Sequence, residues 1–95
     1  LPLPAVAAEA RAAAAALRSM GVALGPCTVP AAGRPGFDLP EDEMELGLGI
    51  HGEAGVRRAP RASADAAVAA MLEAILADHA LPPGSPVALL VNGLG

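Results

Sequence analysis

Residues 63–91 read SADAAVAAMLEAILADHALPPGSPVALLV, and this stretch decides the fold class. Ser63 is a good N-cap, because its hydroxyl can accept a hydrogen bond from one of the free amides of a first helical turn. Asp65 follows where a helix N-terminus favours an anion. Val68, Met71, Leu72, Ile75 and Leu76 then recur at the i, i+3, i+4, i+7, i+8 steps that align on one helical face. Pro82, Pro83 and Gly84 end the helix in a turn. The apolar run Val87–Val91 beyond it reads as a buried strand, closed by Asn92 and Gly93. A helix feeding a strand through a short turn points to layered α/β architecture.

Upstream, Ala5–Met20 is dominated by the strongest helix former, with Val6, Ala10, Ala13, Leu17 and Met20 on one face and Gly21 as the stop. Val22–Val29 mixes apolar residues with Gly25, Pro26, Cys27 and Thr28 and reads as an interrupted strand. Pro30–Pro40 holds too many Pro and Gly residues for a helix or central strand and is a surface loop. Glu41, Asp42 and Glu43 read as an exposed, solvated turn. Met44–Ile50 turns apolar again, with Gly47 and Gly49 interleaved, and reads as a strand that other backbone or a ligand approaches closely. The expected fold is therefore α/β: a small mixed sheet containing Met44–Ile50 and Val87–Val91, with two packed helices.

The chain has 95 residues, enough for one small domain or part of a larger one. Hydrophobic residues make up 54%, but Ala supplies much of that and Phe37 is the sole aromatic residue. At about 25 cal/mol per Å² of buried apolar surface, an Ala-rich core gains little. The sequence opens at Leu1 and closes at Gly95 just after an apolar run, so residues 1–95 read as a partial domain, truncated at both ends. Ten acidic residues face six Arg and no Lys, for a net charge of −4, which leaves no broad basic surface for nucleic acid. No window is apolar for the roughly 18 residues of a membrane span. A single Cys27 forms no internal disulfide and agrees with a reducing, cytoplasmic setting.

Chemistry concentrates in Glu45–Gly55, ELGLGIHGEAG, which sets four Gly around His51 and Glu53. Glycines beside a reactive side chain remove Cβ bulk and let a small substrate reach the ring. Imidazole, with an ordinary pKa of about 6.5, is a competent neutral nucleophile. Gly47, Gly49 and Gly52 match G-x-G-x-x-G, but a dinucleotide site needs that motif to open a helix, and Gly55, Arg57, Arg58 and Pro60 read as continuing loop. A metal site would need partners for His51, and His79 has no ligand-like spacing to it. On residue chemistry alone, a structural histidine in a tight glycine turn and a functional one both stand, the structural one being the commoner.

The run ELGLGIHGEAG, preceded by GVALGPCTVPAAGRPGF at 21–37 and followed by VRR at 56–58, resembles the signature region of the substrate-binding K domain of dihydroxyacetone kinases. The likeness extends through CTVP at 27–30 to the closing VNGLG at 91–95. It implies that this chain is an internal segment of a larger K-domain fold with two subdomains. It also implies that His51 forms a hemiaminal with the carbonyl carbon of dihydroxyacetone while a terminal hydroxyl is phosphorylated, with Gly49 and Gly52 beside the substrate. Such a bond accepts a small ketone and rejects glycerol, which has no carbonyl.

No cofactor or metal is expected on this segment. The phosphoryl donor implied is ATP with magnesium, or a phosphorylated carrier protein, on a separate L domain or subunit, and the intact parent would be a homo-oligomer. The family's acid/base Asp, second His and Gly-rich substrate loop fall upstream, so residues 1–95 alone are expected to be inactive. Ala54 stands where many bacterial members have Pro, which loosens φ at that point. The other implied class is a catalytically silent relative that binds a triose or a protein partner for regulation. Cys27 is expected to be a small buried side chain, Arg57 and Arg58 solvated, Glu53 solvent-facing or orienting the imidazole, and His79 in the last helical turn.

Overall fold

The computed structural model describes residues 1–28, 30–49 and 54–93. Its elements are α1 (Leu3–Ala16), β1 (Val22–Ala23), β2 (Glu43–Leu46), β3 (Arg57–Pro60) and α2 (Ala64–Asp78). The α/β class holds, with two helices and a three-stranded sheet in the order β1-β2-β3. Both pairings are antiparallel, not mixed: Val22 lies opposite Leu46, and Met44, Glu45 and Leu46 lie opposite Ala59, Arg58 and Arg57.

Alternation along β2 builds the core. Met44 and Leu46 point to the same face, where they meet Ala67 of α2, and Met20, Val22, Ala59, Ala70 and Met71 pack around them. Leu46 is the most enclosed, at 1% exposure. The helix thus offers mainly small side chains, Ala67 and Ala70, to the sheet, beside Met71. Of the expected stripe, Met71 joins this core, whereas Val68, Leu72 and Leu76 stay 44–48% exposed. Leu72, Ile75 and Leu76 instead line a groove with Ala13 and Ala16 of α1, with Leu17 just after it, and with Leu81, Val87 and Leu89.

Helix α2 is capped as its sequence prescribes: the Ser63 hydroxyl accepts the Ala66 N–H at 3.3 Å, and Asp65 lies in the first turn. His79 is the C-cap and not part of the last turn, its N–H donating to Ile75 O at 3.0 Å. Helix α1 stops at Ala16, short of Met20 and Gly21. Leu17 is extended (φ −79°, ψ 135°), and Arg18 Nη1 donates to the carbonyls of Ala15 and Leu17 at 2.9 and 2.8 Å. Those bonds satisfy carbonyls that a helix end leaves free. The same guanidinium pairs with Asp78 at the end of α2.

Three strand expectations change. Val22–Val29 contributes only Val22–Ala23 to the sheet, because Leu24 and Gly25 bend away; Val29 lies outside the described residues. Of Met44–Ile50, the described residues pair only as far as Leu46, since Gly47 takes a positive φ of 79° that leaves the extended region; Ile50 lies outside the described residues. Val87–Val91 forms no strand. Val87, Leu89, Leu90 and Val91 are 69–89% exposed, and no strand among the described residues pairs with them. Conversely Arg57–Pro60, expected as loop, is strand β3. Arg side chains and a terminal Pro suit an outer strand, where one edge makes no ladder bonds. Cys27 is exposed, not buried, in the 24–40 loop, where its carbonyl accepts Gly36 N–H at 3.0 Å. Glu41 and Asp42 form the exposed turn, but Glu43 is half-buried and opens β2.

Candidate active site

The glycine-rich stretch is the connection between β2 and β3, so an antiparallel hairpin presents it. His51 and Gly52, with Ile50 and Glu53, lie outside the described residues; Gly49 is described and half-buried. The base of the connection is defined on both sides. Val56 N–H donates to Leu46 O at 2.8 Å and Gly47 N–H to Gly21 O at 2.8 Å. A third tie comes from a side chain: Glu45 Oε1 accepts Gly55 N–H at 2.6 Å.

Two glycines are required there. At Gly47, φ is 79° and a Cβ would stand 2.6 Å from Val56 Cγ2. At Gly55, a Cβ would meet Glu45 Cγ at 2.5 Å and the Leu46 carbonyl oxygen at 2.6 Å. The absence of side chains at both positions is what lets the two arms of the connection touch.

Glu45 points away from the core face, because it alternates with Met44 and Leu46. It is nevertheless only 6% exposed. Arg58 lies directly opposite in the ladder, with Nε 3.6 Å from Glu45 Oε2. That separation gives electrostatic attraction but exceeds a hydrogen bond, and Oε2 has no hydrogen-bond partner among the described residues. Arg58 Nη2 also donates to Asp38 O at 2.5 Å, so this guanidinium is exposed yet engaged rather than simply solvated. Arg57, on the core side of β3, is exposed beside Glu73 and Ala77 of α2. Arg61 donates to the carbonyls of Glu41 and Leu24 at 3.1 and 3.4 Å, tying the 24–42 loop to the end of the hairpin.

Among the described residues, the element that follows Gly47, Gly49 and Gly52 of the G-x-G-x-x-G pattern is β3 and not the helix on whose N-terminus a dinucleotide pyrophosphate sits. Among the described residues, no group of three or more His, Cys, Asp and Glu side chains is placed to hold a metal ion. Sequence reasoning picked out His51 and its glycines but passed over Glu45. The available signal was a carboxylate flanked by Met44 and Leu46 in an apolar run, where a strand buried on both faces leaves a charge little access to water.

The described ties at Gly47, Gly55 and Val56 thus lie on either side of the stretch that carries His51 in the sequence. The model of the Dak1 domain matches residues 1–95, and the chain belongs to the Dak1 domain family. It is 52% identical over 87 residues to a triokinase/FMN cyclase of Bos taurus, covering 86% of this chain and 15% of that protein. To the dihydroxyacetone-binding subunit DhaK of a PTS-dependent dihydroxyacetone kinase of Listeria innocua it is 46% identical over 81 residues, 85% of this chain and 25% of that one. A D-erythrulose kinase of Mycolicibacterium smegmatis is 43% identical over 95 residues, 100% of this chain and 16% of that protein. The chain therefore spans a quarter or less of the length of these relatives.

Proposed function

We propose that residues 1–95 are a segment of the dihydroxyacetone-binding domain of a longer kinase, and that His51 holds the substrate covalently while Gly49 and Gly52 keep its surroundings open. The observation that carries this reading is the Dak1 match along the chain, with a relative named as a dihydroxyacetone-binding subunit. The tied hairpin base supports it, because covalent capture needs the nucleophile held where the carbonyl arrives.

In the proposed step, the lone pair of one imidazole nitrogen attacks the ketone carbon and the carbonyl π electrons move to oxygen. That oxygen takes up a proton as the other ring nitrogen gives one up, so the hemiaminal forms without any other reactant. The carbon is then fixed and a terminal hydroxyl is presented for phosphorylation. The donor, ATP with magnesium or a phosphorylated carrier protein, acts from a separate domain or subunit of a cytoplasmic homo-oligomer, and the 95 residues alone transfer no phosphate. No described helix is long and apolar enough to cross a membrane.

The exposed run Val87–Val91 and the half-exposed Leu72 and Leu76 fit a segment whose apolar surfaces are covered by the rest of such a protein. The test is His51→Ala in the full-length protein, mixed with dihydroxyacetone labelled with ¹³C at the carbonyl. The unmodified protein shows a tetrahedral-carbon signal in place of the ketone signal, and the variant shows none and phosphorylates dihydroxyacetone at least about a hundredfold more slowly. A variant that keeps both the signal and the rate would make His51 a structural residue.

A further inference from the structure

We infer that Glu45 is a positioning residue for the substrate histidine: by accepting the Gly55 N–H it extends the hairpin base one residue beyond the ladder and holds the arm that runs from His51 to β3. The inference rests on the reading of His51 given above. Its geometric part stands on described residues. The last ladder pair of the hairpin is Leu46 opposite Arg57, and Val56 N–H already takes the Leu46 carbonyl at 2.8 Å. Gly55 lies one residue further out, and its amide bonds to Glu45 Oε1 at 2.6 Å instead of to the opposing backbone.

The two residues are fitted to each other. Gly55 leaves room for the Glu45 side chain, since a Cβ there would stand 2.5 Å from Glu45 Cγ. Glu45 in turn is 6% exposed, with its side chain on the sheet face opposite the core formed by Met44 and Leu46. Arg58, across the ladder at 3.6 Å, offsets the charge without taking over the hydrogen bond. A buried carboxylate is a costly choice for stability, and an apolar side chain would fill an enclosed strand position at lower cost. What an apolar residue cannot supply is an acceptor for the Gly55 amide. The Gly47 arm is held separately by Gly21 and Val56 by Leu46, so losing the Glu45 bond frees the arm at Gly55, four residues after His51 in the sequence.

The test uses the full-length protein with Glu45→Ala, Glu45→Gln and Glu45→Asp. Each is assayed for KM and kcat with dihydroxyacetone, for the tetrahedral-carbon signal of the labelled ketone, and for hydrogen exchange at the Gly55 amide. Glu45→Ala raises KM for dihydroxyacetone about ten- to a hundredfold, in line with the loss of one charge-assisted hydrogen bond, and leaves the Gly55 amide exchanging fast. Glu45→Gln keeps a carbonyl acceptor and restores most of the affinity and the protection. Glu45→Asp keeps the charge but is one methylene too short, and it resembles Ala; it also carries the test if the Ala variant does not fold. Unchanged KM and adduct signal in folded Glu45→Ala and Glu45→Asp, or a Gln variant as impaired as Ala, would overturn the positioning role. If His51→Ala keeps the adduct signal, the reading of His51 has failed instead, whatever the Glu45 variants do.

Discussion

Gly55→Ala is the most direct probe of how the hairpin base is built. The added methyl would lie 2.5 Å from Glu45 Cγ, 2.6 Å from the Leu46 carbonyl oxygen and 2.9 Å from Glu45 Oε1. Swinging the Glu45 side chain aside relieves two of these contacts but breaks its 2.6 Å bond to the Gly55 amide. The Leu46 oxygen is backbone, fixed by the Val56 N–H at 2.8 Å, and moves only if the end of the ladder opens. Overpacking of this kind costs about 1–3 kcal/mol, and the lost charge-assisted hydrogen bond about 1.5–3 kcal/mol more. The sum is about 2.5–6 kcal/mol, enough to lower Tm measurably. Gly25→Ala is the control, because a Cβ there meets nothing within 4 Å, and it should shift stability by no more than about 1 kcal/mol in either direction. The assay is thermal unfolding of the two variants beside the unmodified protein, with dihydroxyacetone binding measured on each. A Gly55→Ala protein as stable as Gly25→Ala, and binding substrate equally well, would refute the described packing of Glu45 against Gly55.

Gly47→Ala combines a disfavoured φ of 79° with a Cβ placed 2.6 Å from Val56 Cγ2; it should destabilise by about 2–4 kcal/mol in denaturant unfolding, and adding Val56→Ala should recover part of the loss but not the backbone strain. Ser63→Ala removes the 3.3 Å cap on Ala66 N–H and should cost about 1 kcal/mol without changing KM for dihydroxyacetone, since α2 begins beyond the hairpin.

Legibility in the sequence followed the range of the interactions involved. Helix α2 was readable because its signals are local: Ser63 caps it, Asp65 suits its first turn, and Pro82 and Pro83 lie beyond its end. Its orientation was not. The large stripe suggested that Val68, Leu72 and Leu76 face the sheet, whereas Ala67 and Ala70 do so beside Met71, and Leu72 and Leu76 turn to the groove shared with α1 and Val87. Strand β3 was missed for a related reason. Arg57, Arg58 and Pro60 carry no apolar alternation, and their extended shape comes from pairing with β2. Val87–Val91 shows the converse, an apolar run with strand composition but no partner strand among the described residues. Around the site, His51 and its glycines stood out by composition, while Glu45 gained its meaning only when the hairpin brought residue 55 back to residue 45.

The period-two alternation of β2 divides the strand between two tasks. Met44 and Leu46 face α2 and hold the layers together, whereas Glu45, between them, faces the other way and reaches Gly55. Because all three share one backbone, a one-residue slip in register would expose Leu46 and drive the Glu45 carboxylate into the apolar layer, at a cost of several kcal/mol. The core therefore fixes the register, and the register fixes which carboxylate meets the Gly55 amide. Substitutions at Met44 or Leu46 should consequently lower stability first and disturb the hairpin base only as the strand loosens. Substitution at Glu45 leaves the apolar layer intact and acts on the connection that carries His51. The small size of the core sharpens this separation: among the described residues the cluster against β2 has Met44, Leu46 and Ala67 as its buried members, so the fold has few ways to absorb a shift of β2.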